Sequence, residues 1–185
     1  MMETKLLTPA QVRALYHERL VEDFPRDELK PLSAMEDLLS RNRYACYGCL
    51  EGDDILAYAF FVCLGRFALL DYCAVRRDVR DRGIGSAFLR TLIEGPLRRF
   101  ACTLVEVENP DAAPDPAQRD QRERRRRFYL GNGLRDTGVG VWLYGVDYRL
   151  LALSASRDPG DIRKIYAALY RAMLPDEAYD KWLRL

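Results

Sequence analysis

The segment that most constrains this chain runs from Asp71 to Ser86 and reads DYCAVRRDVRDRGIGS. An apolar strand pattern gives way to a polar loop, and a turn with two glycines then leads directly into a helical pattern. A helix N-terminus after such a turn presents outward-pointing N–H groups, which bind anions. Gly83 and Gly85 have no Cβ to block close approach, while Arg80 and Arg82 add positive charge. The segment predicts a pyrophosphate-binding loop, and the alternative is a tight turn beside solvated arginines.

The composition indicates one ordinary globular domain with at most a modest appendage. The chain has 185 residues, of which 49% are apolar, and a formal net charge of +1. This balance gives no global attraction to nucleic acid or to an anionic membrane, so neither is an expected partner. The longest apolar run, Ile55 to Gly65, has 11 residues, about half of the ~20 that span a bilayer. The N-terminus lacks the layout of a signal peptide, and we expect a soluble cytoplasmic protein.

The cysteines and the lone histidine do not indicate a metal centre. Five cysteines are scattered along apolar segments, which favours reduced thiols in a core over disulfides. Cys46 and Cys49 have CxxC spacing, but no second CxxC accompanies them, and the single histidine, His17, is distant in sequence. A four-ligand zinc site needs partners that the sequence does not offer, so we expect no bound metal.

Hydrophobic periodicity predicts an α/β (α+β) domain around one mixed, mostly antiparallel sheet of about six to seven strands. Thr8-Pro9-Ala10-Gln11 predicts a capped helix start, and Ser33 to Glu36 predicts a second helix that opens in the same way. Helices are also predicted after Gly85 and over Arg119–Leu130. The pattern also predicts six strands. The first three would form an antiparallel meander and are Tyr44–Leu50, Ile55–Leu64 and Phe67–Val75. The other three are Ala101–Glu108 and about Leu134–Tyr144 and Val146–Leu153.

These residues resemble the GNAT superfamily of acetyl-CoA-dependent N-acetyltransferases. Its first motif is a strand ending in Ala-Val, a loop and then Arg/Gln-x-x-Gly-x-Gly/Ala, which here reads Ala74-Val75 and Arg80-Asp-Arg-Gly-Ile-Gly85. Its second motif, aromatic-Tyr-x-x-x-Gly-Phe, appears as Phe128-Tyr-Leu-Gly-Asn-Gly-Leu134. The loop matches neither a Walker loop nor the GxGxxG motif of dinucleotide folds. The resemblance covers about residues 4 to 152 and implies a GNAT-like fold.

The resemblance implies positions for acetyl-CoA along the chain. The end of the strand would pair its backbone with the pantetheine arm, as with an added peptide strand, through Cys73, Ala74 and Val75. The pyrophosphate would lie on the N–H groups of the loop, which comprises Arg80, Asp81, Arg82, Gly83, Ile84, Gly85 and Ser86. Tyr129 would protonate the departing thiolate, and its alternative role is a core aromatic at the end of a helix.

The chain departs from the family pattern at several positions. Arg77 replaces the usual loop proline and Asp81 the usual glycine, which a loop acting through its backbone tolerates. Leu69 occupies the position of a glutamate base found in some relatives, so that base is absent. The family's asparagine has no clear equivalent, because Asn109 is followed by a longer proline-rich insertion.

An amine acceptor must lose a proton before it attacks the thioester carbonyl. Asp71 is the first candidate base, because it lies on the same side of its strand as Cys73 and Val75. Glu106 and Glu108, on one face of a neighbouring strand, are the other candidates, since paired carboxylates raise one another's pKa and attract a cationic acceptor. Their alternative role is a solvated strand face or salt bridges to nearby arginines.

Arginines cluster on the helix that carries Tyr129. The commonest role of such a run is a solvated helix face. Its other roles would be to pair with Glu106 and Glu108, or to clamp an acidic acceptor or the cofactor's phosphates. The cluster comprises Arg119, Arg122 and Arg124 to Arg127.

Two functional hypotheses follow from these residues. The first is an acyltransferase that moves acetyl from acetyl-CoA to a primary amine, on a small molecule or a peptide, by direct attack in a ternary complex. The second is a non-catalytic GNAT-like module that binds CoA or another protein. The missing glutamate base keeps this second hypothesis open. The carboxylates suggest a cationic acceptor and the arginines suggest the opposite, so the charge of the acceptor stays open.

The C-terminal tail lies beyond the resemblance. We assign residues 1–154 to the acetyltransferase domain and residues 155–185 to a helical extension. Asp158-Pro159 predicts the start of a helix and Pro175 its end. An apolar stripe that must be buried follows this helix and comprises Ile162, Ile165, Tyr166, Leu169, Tyr170 and Met173. We expect it to pack on the core or, alternatively, at a dimer interface, so the protein is a monomer or a homodimer.

Overall fold

The computed structural model describes residues 2–26, 28–154, 160–174 and 176–185. The strands within them are β1 (Met2–Leu6), β2 (Tyr44–Glu51), β3 (Asp54–Leu64), β4 (Phe67–Val75), β5 (Cys102–Glu108), β6 (Arg135–Leu143), β7 (Val146–Ser154) and β8 (Leu183–Arg184). They form one mixed, mostly antiparallel sheet in the order β1-β2-β3-β4-β5-β7-β6-β8. The α/β fold class predicted from the sequence is therefore confirmed.

The helices lie between groups of these strands. They are α1 (Pro9–Leu15), α2 (Val21–Asp23), α3 (Leu32–Ser40), α4 (Ile84–Glu94), α5 (Pro116–Gly131), α6 (Ile162–Met173) and α7 (Asp176–Trp182). A π-helical segment, Tyr16–Leu20, joins α1 to α2. In the described part of the chain, no helix is long and apolar enough to cross a membrane.

The chain forms two compact units, and β4 contributes residues to both. The first unit contains the described part of residues 1–63 together with residues 71–93. The second contains residues 64–70 and the described part of residues 94–185. Each unit carries some of the residues that the sequence singles out.

The first unit is built on an antiparallel ladder of β1, β2 and β3. The predicted capping box starts α1, because the N–H of Gln11 donates to Thr8 Oγ1 at 3.3 Å and the N–H of Thr8 donates to Gln11 Oε1 at 2.9 Å. Such reciprocal bonds satisfy N–H groups that a helix start leaves unpaired. The largest fully buried side chains of this unit are Leu20, Met35, Tyr58, Phe60, Phe61 and Leu92.

The second unit contains the parallel step of the sheet. Phe67–Leu70 of β4 pairs in parallel with Cys102–Val105 of β5, and β5 pairs antiparallel with β7. β7 pairs antiparallel with β6, whose register shifts between Asp136 and Gly140, and β6 pairs with β8. The largest fully buried side chains of this unit are Leu69, Leu104, Leu150, Leu151, Tyr166 and Leu169.

The prediction of about six to seven strands is too low, because the sheet has a strand at each edge that the sequence pattern does not predict. β1 reads METKL, and its alternating charges Glu3 and Lys5 leave too few apolar residues for a strand signal. β8 has only two residues, which pair with Trp142 and Leu143. Edge strands of this kind form because a neighbouring strand offers unpaired backbone groups.

Two predicted helix starts also need correction. α3 begins at Leu32 behind Pro31, and its start has no side-chain cap, so the second capped start is wrong. α5 begins at Pro116 rather than Arg119, because Asp115 caps it by accepting a hydrogen bond from the N–H of Gln118 at 2.9 Å. A proline at the first helical position loses no helix hydrogen bond, which allows the earlier start.

The helix of the tail packs on residues of its own chain. α6 follows Asp161, whose carboxylate accepts hydrogen bonds from two N–H groups of the first turn. The predicted boundary residues Asp158, Pro159 and Pro175 lie outside the described residues. Of the predicted stripe, the residues buried within the chain are Ile165, Tyr166, Leu169 and Tyr170, and those half-buried are Ile162 and Met173.

We predict that Leu169→Ala lowers the free energy of unfolding by about 2–5 kcal/mol, since the Leu169 side chain is fully buried and its loss leaves a cavity. Lys164→Ala on the exposed face of the same helix is the matched control and should change little. Urea denaturation of the full chain measures both. Equal effects of the two substitutions would contradict the burial of this stripe.

Candidate functional site

Strand β4 extends past the point at which its parallel pairing with β5 ends. The register joins Phe67–Leu70 to Cys102–Val105, and Asp71–Val75 lies beyond it. The residues predicted to pair with pantetheine, Cys73–Val75, are therefore in the part of β4 outside this ladder, and they are half-buried. An extended backbone outside a ladder can take a strand-like partner.

The loop after β4 turns sharply into a helix. Asp81 and Gly83 have φ angles of 61° and 77°, and α4 begins at the next residue, Ile84. The N–H of Ala87 donates to the carbonyl of Gly83 at 3.0 Å, so the N–H groups of the first turn point toward the loop. A Cβ placed on Gly83 would meet no atom within 4 Å, so the space beside it is open. The loop residues present therefore fit a pyrophosphate group.

The two arginines of the loop have different surroundings. Arg80 Nε donates to the carbonyl of Val75 at 3.0 Å, and its Nη2 lies 3.9 Å from Oδ1 of Asp23. The Asp23 side chain is almost fully buried and also accepts from the hydroxyl of Tyr58 at 2.9 Å. Arg80 thus ties the loop to β4 and to α2, although it is exposed, and Arg82 is a second exposed cation of the loop.

Asp71, the first candidate base, takes part in an ion pair. Lys30 Nζ lies 2.5 Å from Asp71 Oδ1, and the Tyr44 hydroxyl donates to Asp71 Oδ2. The side chains of Lys30 and Asp71 are 23% and 7% exposed, and the Lys30 ammonium also lies 5.3 Å from the centroid of the Tyr72 ring. Burial, together with the charge of Asp71, raises the pKa of Tyr44 well above its usual value, so this hydroxyl stays protonated. Asp71 is therefore a buried carboxylate neutralised by an adjacent ammonium.

Glu106, the second candidate base, accepts two hydrogen bonds from the tail helix. The hydroxyls of Tyr166 and Tyr170 lie 2.5 Å and 2.6 Å from the same oxygen, Glu106 Oε1. Burial is the main cause that raises the pKa of both tyrosines well above the usual value, and the charge of Glu106 is the next cause for each. These two contacts bring hydrogen-bond donors to the carboxylate without bringing positive charge.

Glu108, the third candidate, forms one of the salt bridges that the sequence left open. Arg122 Nη2 lies 2.9 Å from Glu108 Oε1, and Arg122 Nη1 donates to the carbonyl of Asn109 at 3.1 Å. The side chains of Arg122 and Glu108 are 11% and 28% exposed. The two glutamates of β5 therefore have separate partners.

Several of the remaining arginines of α5 lie beside carboxylates. Arg126 pairs with Asp136 at 3.0 Å, Arg119 lies 3.5 Å from Asp111, and Arg127 Nε lies 3.9 Å from Glu123 Oε1. The exposed members of the cluster include Arg124, Arg125 and Arg127. A groove of about 590 Å³ beside α5 is lined by arginines and carboxylates in equal number, so its charge does not indicate a ligand.

Tyr129, the candidate acid, lies near the C-terminal end of α5. It is buried, and its ring centroid lies 5.1 Å from that of Phe128 in an edge-to-face arrangement. Its carbonyl accepts hydrogen bonds from the N–H groups of Asn132 and Leu134, which close the end of the helix. The second motif of the resemblance thus fixes the backbone that carries this tyrosine.

Sequence reasoning found the carboxylates but missed the residues that hold them. Lys30, Tyr44, Tyr166 and Tyr170 contact them from 27 to 64 residues away along the chain. The sequence does contain a signal for Tyr166 and Tyr170, because two tyrosines four residues apart on a buried stripe need partners for their hydroxyls. For Lys30 the sequence offers no such periodic signal.

Within the described residues, the five cysteines form no disulfide bond. Burial raises the pKa of Cys46, and it raises the pKa of Cys102 to about 11, which keeps both thiols protonated and weakly nucleophilic. Within the described ranges, no group of three or more His, Cys, Asp or Glu side chains could hold a metal ion.

Comparison with protein families matches residues 10–114 to the model described as the acetyltransferase (GNAT) family. The matched segment includes the end of β4, the glycine loop, α4 and β5. It ends before α5 and before the tail helix.

Among known proteins, the chain is similar to the Bacillus subtilis protein YjbC, with 33% identity over 115 residues, or 62% of this chain. The chain spans about half of that relative, since the match covers 53% of its length. A GNAT-family protein from Bacteroides thetaiotaomicron shares the fold, with a TM-score of 0.67, 19% identity and coverage of 92% and 94% of the two chains. A GNAT acetyltransferase from Elizabethkingia anophelis, solved with acetyl-CoA bound, gives a TM-score of 0.58, 15% identity and coverage of 83% and 97%.

We predict that Asp71→Ala lowers the free energy of unfolding by about 2–4 kcal/mol, because it strands a partly buried ammonium and a buried hydroxyl. The matched control is Asp78→Asn, which breaks a solvent-exposed pair with Arg76 and should have little effect. Chemical denaturation at neutral pH compares the two variants. If Asp71→Ala were as stable as the control, the ion pair would not contribute to folding.

Proposed function

Because the chain belongs to the GNAT acetyltransferase family, we propose that it transfers the acetyl group of acetyl-CoA to a primary amine by direct attack in a ternary complex. The observation that carries the proposal is the end of β4, where backbone outside the β5 ladder leads into a loop with two positive φ angles and a helix N-terminus. We further propose that residues 1–154 form the acetyltransferase domain and residues 155–185 an extension of it.

Acetyl-CoA is held in this proposal by backbone rather than by side chains. Cys73–Val75 pairs with the pantetheine arm, and the N–H groups from Arg80 to Ser86 hold the pyrophosphate. Arg82 adds an exposed positive charge, and Gly83 leaves open space where a side chain would intrude. The acetyl-CoA in the Elizabethkingia anophelis structure supports this choice of donor by analogy.

Glu106 is the proposed base that takes the proton from the acceptor's ammonium. Two hydroxyls that donate to Glu106 Oε1 hold this carboxylate in one orientation, whereas Asp71 is in an ion pair with Lys30 and Glu108 is in an ion pair with Arg122. A carboxylate already beside a cation attracts a second cation less strongly. Asp71 and Glu108 stay as the alternative bases, and each would have to leave its partner to act.

The chemical step then needs one proton donor. The amine nitrogen forms a bond to the thioester carbonyl carbon, and the carbon–sulfur bond breaks. The departing thiolate takes its proton from the Tyr129 hydroxyl in this proposal, which follows from the family motif around Tyr129. The second proton that the nitrogen loses returns to the Tyr129 oxygen, and the proton on Glu106 passes to solvent, so both residues end the reaction as they began it. The acceptor is a primary amine on a small molecule or a peptide, and the protein acts as a monomer or a homodimer.

A second function, a CoA-binding module without catalysis, is favoured by one observation. Leu69 occupies the place of a glutamate base of some relatives, and its side chain is fully buried in apolar surroundings. Such a module would bind acetyl-CoA and acetylate no amine, whereas an acetyltransferase would convert acetyl-CoA and an amine to products.

We predict that Gly83→Glu abolishes CoA binding and acetyl transfer, because it places a side chain and a negative charge on the phosphate loop. Gly52→Glu is the matched control. It introduces the same residue at a positive φ angle in open surroundings, but in the turn between β2 and β3. Titration calorimetry with CoA, and acetylation of a panel of primary amines, measure the two effects.

The outcomes separate the alternatives. Binding lost only in Gly83→Glu, together with turnover by the wild type, supports the acetyltransferase. Binding without acetylation of any amine would favour the non-catalytic module. Wild-type affinity in Gly83→Glu would show that this loop does not hold the phosphates.

A further inference from the structure

The tail helix presents two tyrosines to one oxygen of β5. Tyr166 and Tyr170 are four residues apart, so they lie on the same face of α6, and their ring centroids are 4.7 Å apart. Both rings are buried, and both hydroxyls reach Glu106 Oε1, at 2.5 Å and 2.6 Å. A carboxylate that accepts two O–H donors at these distances is held in one place.

These donors cannot change their state at ordinary pH. Burial, and after it the charge of Glu106, raises the pKa of Tyr166 and of Tyr170, so both hydroxyls stay protonated. Hydrogen bonds to a charged carboxylate favour its charged form over its protonated form. The two tyrosines therefore stabilise Glu106 as an anion and fix its orientation.

Two neighbouring elements carry further titratable groups. Tyr148 of β7 lies close enough to Tyr166 to contribute to its raised pKa, and Glu108 of β5 pairs with Arg122 of α5. Replacing either tyrosine hydroxyl removes a hydrogen bond to Glu106 Oε1 and so changes the environment of this carboxylate directly.

We propose that Tyr166 and Tyr170 are positioning residues of the acetyltransferase: they hold the carboxylate of Glu106 in place and in its charged form, so that the tail helix is part of the catalytic apparatus. This inference rests on the proposed function, in which Glu106 takes the proton of the amine. Both tyrosines lie beyond residues 10–114, which match the family model. The helix that carries them is thus an addition outside the matched segment.

The test replaces each hydroxyl and keeps each ring. Tyr166→Phe, Tyr170→Phe and the double variant are compared with the wild type in the pH dependence of kcat/KM for amine acetylation. The acid limb should move to higher pH by about one unit in the double variant, which lowers kcat/KM about tenfold at a pH below the limb. Tyr179→Phe, a buried tyrosine of the same tail whose ring lies against Arg171, should leave the limb in place.

A purely structural role predicts a different pattern. It would lower the melting temperature of Tyr166→Phe and Tyr170→Phe and leave the acid limb where it is, and that result would overturn the proposal. If the double variant fails to fold, the single variants carry the same test with smaller shifts. Wild-type rates and an unchanged limb in Glu106→Gln would overturn both the proposal and the choice of base.

A second measurement does not depend on activity. The effect of Tyr170→Phe on the unfolding equilibrium of the full chain is measured in the wild type and in the Glu106→Gln variant. We expect Tyr170→Phe and Glu106→Gln to be non-additive by about fivefold in the equilibrium constant, since both remove the same hydrogen bond. Additivity, with an unmoved acid limb, would overturn the proposal while leaving amine acetylation intact. Absence of acetylation by the wild type would instead refute the proposed function.

Discussion

The proposed binding of acetyl-CoA depends on the place where the ladder between two parallel strands stops. β4 and β5 pair as far as Leu70 and Val105, and β4 then continues for five more residues. A strand whose backbone is not taken up by that ladder can bind an extended ligand through main-chain hydrogen bonds. The same strand leads into a loop whose φ angles at Asp81 and Gly83 turn the chain directly into α4. In the proposed function, ligand binding by this region depends on the backbone, so Arg77 and Asp81 can replace the family's usual residues.

Charge pairing gives the three carboxylates different chemistry. Asp71 lies with Lys30 and Tyr44, and Glu108 lies with Arg122, so each is balanced by a neighbouring cation. Glu106 accepts O–H donors from α6, which hold its carboxylate in one orientation. The proposed choice of base therefore depends on the partners of these carboxylates rather than on their places along the strands.

The sequence predicts what is local and misses what is distant. The capping box at Thr8, the alternating strand β5 and the turn at Gly83 are encoded within a few residues, and all three appear in the structure. The polar edge strand β1 and the two-residue strand β8 carry too little apolar pattern to be recognised, because pairing with a neighbour decides them. The contacts of the candidate site follow the same rule. Asp71 and Glu106 can be picked out by type and position, but Lys30 and Tyr166 come from 41 and 60 residues away.

A crystal structure of the protein soaked with CoA tests the central claim most directly. If acetyl-CoA binds as proposed, the pyrophosphate oxygens will lie about 3 Å from the N–H groups of the loop between Arg80 and Ser86, and the pantetheine amides will pair with the backbone of Cys73–Val75. These contacts will be made with main-chain atoms, and Gly83 will lie against the phosphates. CoA bound at another surface, with this loop and the end of β4 free of it, would contradict the account.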